Sequence, residues 1–541
     1  MIHAKQFFAA FATFAAVIFI VSMTFANFAA TQPAKARDIA IGLQATISSM
    51  DPHYHNVGPN NAMLRHIFEP LVANDENQKL IPALAVSWKP LNDITWEFKL
   101  RKNVRWHDGS PFTADDVAFT LKRVPNVPNS PSSFATFTKP IIEVKVIDAH
   151  TIIFKTATPH GLLPSDLSQV LIVSKASGEK ATTDDYNSGR AAIGTGAYKF
   201  VEYAANQRVV VKANYGYWRG EEPWDKITFK ILVNPAARVA ALLSGDVEMI
   251  ETVPTADIAK LEKDKKFALS NKVSNRVIYV HLNQHQDKAP VFLTDKSGKP
   301  LDKNPLKDVR VRRALSMAIN RDAIVSRVME GRAVAASQLL ADQFFGTSRK
   351  LKPAKYDPDG AKKLLAEAGY ANGFAITIHG PNNRYINDAA IAQTIAQFYA
   401  KIGLDVKVET MPSSVYFTRA TKLEFSYMIL GWGTESGEQG SALRSLLATY
   451  DPVKGMGVTN RGRYSNPAFD KALDEALVMM DEKKREAMIQ AAAEMVMSDV
   501  GLIPLHYEVS TWATTKTLKF TPRTDQYSLA MSLKPVAMAA N

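Results

Sequence analysis

Segments with the apolar spacing of β-strands alternate with segments that have the spacing of amphipathic helices along most of the chain, without an internal repeat. Over 94–101, apolar residues alternate with polar ones, and this period of two predicts a half-buried strand. Asp357 followed by Pro358 is typical of a helix start, and Gly369 comes directly after the apolar stripe of that helix. Strands interleaved with amphipathic helices indicate an α/β fold, and 541 residues suffice for about two to four domains.

The composition excludes several classes of protein. Lys and Arg total 65 against 53 Asp and Glu, which gives a formal charge of +12. The basic residues are spread thinly and stand beside acidic ones, so we interpret them as solvated helix faces and expect no nucleic-acid binding. The chain has no cysteine, which excludes disulfides, thiolate metal sites and cysteine nucleophiles.

The first 36 residues have the pattern of a secretory signal. Lys5 precedes an uncharged apolar stretch over 7–30, and Ala34, Lys35 and Ala36 follow in the A-x-A pattern of a cleavage site. The apolar stretch is long for a signal, so an uncleaved membrane anchor is the alternative. We expect export to the periplasm as a soluble protein, without a lipid anchor because no cysteine can carry one.

Motifs that would indicate an enzyme are missing. The sequence contains no H-E-x-x-H, no G-x-S-x-G and no Walker A loop. Ser177 and Lys180 match S-x-x-K, but the companion motifs of that enzyme class are absent. His53, His55 and His66 could gather around a metal, although the turn-forming residues beside them favour structural or ligand-lining histidines. We therefore expect no catalytic residue, no resident metal and no cofactor.

A series of motifs in fixed order resembles one known family. Residues 96–117 carry three of them in succession, namely Trp-Glu-Phe-Lys-Leu-Arg, Val-Arg-Trp-His-Asp-Gly and Phe-Thr-Ala-Asp-Asp-Val. Gly-Thr-Gly-Ala-Tyr-Lys at 194–199 and Ala-Lys-Lys-Leu-Leu-Ala-Glu-Ala-Gly at 361–369 extend the series. Together they resemble the extracytoplasmic solute-binding proteins of the peptide/nickel class, family 5, which serve ABC importers.

The resemblance implies a two-lobed periplasmic-binding-protein fold of type II, cluster C-like, with an extra domain inserted in the first lobe. Two segments that cross between the lobes would form the hinge. By analogy the chain divides into domain I at 37–72, 193–285 and 506–541, domain II at 73–192 and domain III at 286–505.

The family also implies a function. Such a protein is a monomeric receptor that holds a solute between its lobes and delivers it to permease subunits with cytoplasmic ATPases. A short peptide is the leading ligand, and nickel or another metal chelate, haem, glutathione, an opine or an oligosaccharide are alternatives within the class. An extracytoplasmic hydrolase or a chaperone with a large exposed apolar patch is a more remote alternative.

Two loops resemble those that hold a zwitterion in the dipeptide-binding branch. Arg384 falls on the Arg that pairs with the ligand carboxylate, and Glu435, three residues after Trp432, falls on the acid that accepts the ammonium. The branch has Asp at the latter position, and the extra methylene of Glu moves the charge by on the order of 1 Å. Glu438 is an alternative acceptor for the ligand amine.

Five further residues are predicted to line the pocket. Trp432 and Gly433 are placed there because glycines flank the Trp and let the backbone approach a ligand closely. Tyr54, His55 and Tyr416 are weaker candidates for pocket walls. Each assignment has a structural alternative: Arg384 could bond Asp388 or a carbonyl, Glu435 could be solvated, and Trp432 could belong to the core.

Overall fold

The computed structural model of the protein describes residues 37–536. The predicted signal segment, 1–36, lies outside the described residues. Among the helices of 37–536, none combines the length and the apolarity that crossing a membrane requires.

The described residues form a mixture of strands and helices, as the alternating pattern predicts. The strands are β1 (Asp38–Leu43), β2 (Val72–Asn74), β3 (Leu80–Pro82), β4 (Ala85–Asn92), β5 (Thr95–Leu100), β6 (Ile141–Asp148), β7 (Thr151–Thr156), β8 (Tyr198–Ala204), β9 (Arg208–Ala213), β10 (Lys226–Ile231), β11 (Met249–Ile250), β12 (Phe267–Leu282), β13 (Leu293–Thr294), β14 (Ala333–Ala335), β15 (Ala375–Pro381), β16 (Asp405–Met411), β17 (Tyr427–Gly433), β18 (Ile503–Thr515), β19 (Leu518–Phe520) and β20 (Leu533–Pro535).

The helices lie mainly between these strands. They are α1 (Gly58–Leu64), α2 (Ala114–Arg123), α3 (Ala135–Thr138), α4 (Leu163–Leu167), α5 (Lys175–Gly178), α6 (Thr183–Asn187), α7 (Pro235–Ser244), α8 (Thr255–Lys263), α9 (Val309–Met317), α10 (Arg321–Ala323), α11 (Pro358–Glu367), α12 (Asp388–Lys401), α13 (Ser413–Thr421), α14 (Gln439–Leu446), α15 (Pro467–Leu477) and α16 (Glu482–Ser498), with short 3₁₀ turns at Val124–Asn126, Pro305–Lys307 and Ala530–Ser532 and a π turn at Ile324–Val328.

One large mixed sheet runs through both halves of the molecule. Its strands lie in the order β13-β15-β17-β12-β18-β11-β1-β10-β9-β8, with β14 beside β18 and β16 beside β15. We call the half with β1 and β8–β11 the first lobe, and the half with β13–β17 the second lobe. The long strands β12 and β18 pair antiparallel and contribute to both, so they connect the two lobes.

The pairing between β12 and β18 is interrupted within the strands. Residues 267–273 of β12 pair with the end of β18 in the first lobe, and 277–280 pair with its beginning in the second. Regular pairing is interrupted between Val273 and Val277. A break in a sheet ladder lets the strands bend there.

A second, four-stranded antiparallel sheet, in the order β4-β5-β7-β6, forms a unit of its own. The chain enters this inserted unit after β1 and returns to the large sheet at β8, so the unit interrupts the first lobe. It has a separate apolar cluster that includes Phe98, Trp106 and Phe154. The first motifs of the family resemblance thus build the core of the inserted unit.

Both faces of the large sheet are covered in the second lobe. Along β12, Val277 and Tyr279 belong to one buried cluster, whereas Ile278, Val280 and Leu282 belong to another. This alternation follows from the period of two in a strand, and each fully buried aliphatic side chain stabilises the fold by about 1.5–3 kcal/mol.

Local predictions are confirmed where capping residues and periodicity are strong. The segment over 94–101 forms β5, with Trp96 and Phe98 buried. Asp357 caps α11 by accepting a hydrogen bond from the Gly360 amide at 2.8 Å. Gly369, directly after that helix, has a φ of 92°, a left-handed conformation that favours glycine.

Candidate functional site

The loops that carry the predicted ligand-binding residues follow neighbouring strands of the second lobe. β15 and β17 pair in parallel, and their carboxyl ends are Pro381 and Gly433. Because the carboxyl ends of parallel strands meet at one edge of a sheet, the loops after them lie on the same side of the lobe. Arg276, inside the interruption of β12, pairs with Gly433, so this edge adjoins the connection between the lobes.

Arg384 lies in the loop between β15 and α12. Its backbone amide donates to Asp388 Oδ2 at 2.9 Å, which holds the loop against the helix start. Its guanidinium lies 5.3 Å from the Tyr385 ring centroid and makes no hydrogen bond to a described residue. Desolvation by burial, and next the positive charge of Arg276, lower the pKa of Arg384 although the residue is exposed. Its charge is therefore available to a ligand at an exposed position of the loop.

Glu435 lies in the loop after β17, where it meets the first lobe. Its Oε2 accepts a hydrogen bond from the Tyr527 hydroxyl at 2.8 Å. Its backbone carbonyl accepts from Gln78 Nε2 at 2.8 Å and from Gln169 Nε2 at 3.2 Å. Burial raises the pKa of the Glu435 carboxyl, and the Tyr527 hydrogen bond opposes that rise. One oxygen of the carboxylate, Oε2, thus has a donor within the protein. The other does not, since no described residue donates to Oε1.

Trp432 and Gly433 form the end of β17. Trp432 is half-buried against the apolar cluster of the second lobe, and its indole Nε1 is buried without a hydrogen-bond partner among the described residues. A Cβ on Gly433 would lie 3.3 Å from Arg276 Nη2. The absence of a side chain at Gly433 therefore leaves room for the Arg276 guanidinium.

Tyr54 and His55 belong to a different environment. The Tyr54 carbonyl accepts from Ser130 Oγ at 2.6 Å, and His55 Nδ1 is 2.8 Å from Ser48 Oγ. These contacts tie both residues to the first lobe and the inserted unit. Within 37–536, neither residue makes a hydrogen bond to the loops that carry Arg384 and Glu435.

The prediction that Tyr416 lines the pocket is wrong. The residue is completely buried in α13, where its ring stacks on Phe425 with the centroids 5.5 Å apart. Its hydroxyl donates to the Ile429 carbonyl at 2.9 Å. A side chain enclosed in the core of the second lobe cannot contact a solute in a cleft between lobes.

Sequence reasoning missed three polar residues at the crossing of the lobes. Arg276 Nε donates to Gln526 Oε1 at 3.0 Å and lies 3.4 Å from Glu508 Oε2. Arg276 pairs with Gly433 at the end of β17. Its ion-pair partner Glu508 also accepts a hydrogen bond from the Ile386 amide at 3.4 Å, so Arg276 adjoins both loops. No local pattern distinguishes these residues from other polar positions in strands and loops, because only the crossing of β12 and β18 brings them together.

The three histidines considered as metal ligands have separate protein partners. His53 Nε2 lies 2.7 Å from the Leu171 carbonyl, and His66 Nε2 accepts from the Ala530 amide at 3.0 Å. In the part of the chain that the structure describes, no group of three or more His, Asp or Glu side chains is placed to hold a metal ion.

Comparisons with known proteins give a consistent result. A sequence model of the bacterial extracellular solute-binding proteins, family 5 middle region, matches residues 79–452. The chain is 30% identical to the glutathione-binding protein GsiB of Pectobacterium atrosepticum over 501 residues, which cover 89% of this chain and 91% of that protein. It is 30% identical to the dipeptide-binding protein of Escherichia coli over 449 residues, or 78% and 79% of the two chains.

The fold is also found among solved structures. The periplasmic binding protein DppA from Helicobacter pylori, in complex with the peptide STSA, matches with a TM-score of 0.75 at 24% identity. The match covers 92% of this chain and 98% of that one. The two-lobed α/β fold implied by the sequence motifs is therefore confirmed.

Proposed function

This chain belongs to the bacterial extracellular solute-binding proteins of family 5, and on that basis we propose that it is a receptor for a short peptide or peptide-like zwitterion. The receptor captures its ligand between the two lobes and delivers it to the permease of an ABC importer. The family is one of binding proteins, which agrees with the lack of catalytic motifs.

The observation that carries the peptide proposal is the free guanidinium of Arg384. It has no hydrogen-bond partner among the described residues, and its loop and that of Glu435 follow the neighbouring parallel strands β15 and β17. A guanidinium binds a carboxylate through two parallel hydrogen bonds, and a carboxylate accepts an ammonium. Opposite charges on two loops of one lobe therefore suit the two ends of a short peptide.

The names of the relatives support the same ligand class. The proteins compared above are described as binding glutathione, a dipeptide and the peptide STSA. Each of these ligands carries a carboxylate and an ammonium group. We extend this class of ligand to the present chain because the loops of Arg384 and Glu435 resemble the ligand-binding loops of the dipeptide-binding branch.

We further propose that ligand binding closes the lobes about the interruption between Val273 and Val277. A ligand that contacts both lobes only when they are closed shifts the population towards that state. The domain division at 37–72, 193–285 and 506–541 for domain I, 73–192 for domain II and 286–505 for domain III is part of this proposal. So are cleavage before Arg37, release into the periplasm and a monomeric state.

Two measurements test the function. Mass spectrometry of ligands that co-purify with the exported protein should identify a short peptide. Titration calorimetry should then give tight binding of that peptide and weak binding of its amidated and acetylated forms. Tight binding of a metal chelate, haem or an oligosaccharide, with no affinity for di- or tripeptides, would retain the receptor class and reject the peptide ligand.

A further inference from the structure

A large cavity lies apart from the loop of Arg384, between the inserted unit and the second lobe. Its volume is about 980 Å³. The inserted unit contributes Gln78 and Trp88, and the second lobe contributes Phe345, Glu438 and the face of α16. We call this space the interlobe cavity. Neither Arg384 nor Trp432 lines it, so it is distinct from the proposed peptide site.

Glu438 in the wall of this cavity carries a carboxylate that the protein does not satisfy. The residue is only 9% exposed, and its Oε2 is buried without a hydrogen-bond partner in the described residues. The nearest cation is Arg485, whose Nη2 lies 3.7 Å from Glu438 Oε1, beyond hydrogen-bond distance. A buried carboxylate oxygen without a donor is unfavourable, so this group has capacity for a donor from a ligand.

The face of α16 that lines the cavity repeats acidic side chains. Glu482, Glu486 and Glu494 lie on one stripe, with Gln490 completing the spacing of four residues. Like charges at this spacing destabilise a helix. Glu494 is paired, since it accepts from Ser348 Oγ at 2.6 Å, whereas Glu482 and Glu486 make no ion pair with a described residue.

The cavity as a whole has an excess of negative charge. Its acidic residues are Asp342, Glu438, Glu482, Glu486 and Glu494, against the basic residues Lys79, Arg349 and Lys350. This sign is opposite to the formal charge of +12 for the chain. Trp88 adds an aromatic face, which attracts organic cations as well as apolar groups.

We propose that the interlobe cavity is a second binding site, separate from the peptide cleft, for an organic cation with primary ammonium groups, and that Glu438 is its principal acceptor. Glu486 on α16 supplies a second negative charge in the cavity wall. Because the walls come from both the inserted unit and the second lobe, a bound cation contacts both and favours the closed arrangement.

Calorimetric titration of the purified protein with putrescine at low ionic strength tests this proposal. We expect saturable binding of one putrescine, and no binding of 1,4-butanediol, which has the same length without charge. Glu438→Gln keeps the shape of the side chain and should weaken putrescine binding by about tenfold to a hundredfold. The matched control Glu475→Gln, at an exposed position of α15, should leave the affinity unchanged.

A second variant tests the proposal without changing the buried Glu438. Glu486→Gln lies on the half-buried cavity face of α16 and should weaken putrescine binding severalfold even if Glu438→Gln fails to fold. Peptide affinity of Glu486→Gln should equal that of the parent protein. The proposal is overturned if putrescine does not bind the parent protein, or if Glu438→Gln and Glu486→Gln bind it as tightly as Glu475→Gln does. Failure of peptide binding alone would reject only the peptide function.

Discussion

The proposed peptide site and the interlobe cavity are both lined by the loop after β17. They differ in which charged group lacks a partner within the protein. In the cleft, Glu435 receives a hydrogen bond from Tyr527, while the guanidinium of Arg384 has no partner among the described residues. In the cavity, three residues further along, the Glu438 carboxylate lacks a donor. Tertiary contacts therefore decide which of two neighbouring acidic residues already has a hydrogen-bond donor.

The pH dependence of stability is the largest expected difference between the two regions. Burial raises the pKa of Glu438 from 4.5 to about 7, with Asp166, Glu482 and Glu486 adding to the rise and Arg485 opposing it. The folded protein therefore keeps this proton between about pH 4.5 and 7, where the unfolded chain loses it, so stability falls as pH rises through that range. The resulting decrease in the free energy of unfolding is at most about 3 kcal/mol.

Glu438→Gln should remove this contribution. The variant should unfold at a higher temperature than the parent protein at pH 8, and at nearly the same temperature at pH 5. Thermal unfolding at several pH values, with Glu475→Gln as the control, measures the effect. A parent-to-variant difference that does not depend on pH would contradict the assignment of the neutral-range titration to Glu438.

Replacement of Arg384 tests the proposed peptide site. Arg384→Ala should lose about 1.5–3 kcal/mol of binding free energy for a free-acid peptide, or about tenfold to a hundredfold in affinity. The loss should be much smaller for the same peptide with an amidated carboxyl end, since that end offers no charge to the guanidinium. Calorimetry with both peptides measures the difference.

Arg384→Lys is the matched control for this experiment. It keeps the positive charge but not the two parallel donors, so its affinity should lie between those of the parent protein and Arg384→Ala. Equal losses for the free-acid and amidated peptides would mean that Arg384 shapes the loop and does not bind the carboxylate.

Replacement of Tyr416 tests whether a residue in the core of the second lobe affects stability without affecting binding. Tyr416→Phe leaves the buried carbonyl of Ile429 without its donor and should destabilise the protein by about 1–3 kcal/mol. Because the ring is enclosed, peptide affinity should not change at a temperature where the variant is folded. Chemical unfolding and calorimetry on the same sample check both parts, and a loss of affinity without a loss of stability would restore Tyr416 to the pocket.

Glu435→Gln should have the smallest effect of the four substitutions. Tyr527 already donates to this carboxylate, so removal of the charge should cost about 0.5–1.5 kcal/mol of binding free energy. The loss should appear for a peptide with a free amine and vanish for its acetylated form. If acetylation has no effect on the parent protein either, Glu435 is a structural residue that joins the loop to Tyr527.

Local features of the fold were predictable because they depend on residues close in sequence. The strand over 94–101 and the capped helix after Asp357 are examples. Tyr416 was misplaced because the type of a residue does not show whether its side chain faces the core or a cleft. Arg276 was missed because its importance arises from Glu508 and Gln526, more than two hundred positions away.

Periodicity, capping and ordered motifs are properties of neighbouring residues, so the sequence was enough to predict the α/β architecture, the family, and the loops on which Arg384 and Glu435 lie. Which charged groups lack a partner became visible in the assembled fold. One oxygen of the Glu435 carboxylate accepts a hydrogen bond from Tyr527, whereas Glu438 Oε2 remains without a donor although Arg485 lies nearby. Hydrogen bonds and desolvation depend on distances between residues that are remote in the chain, and those distances exist only after the lobes have assembled.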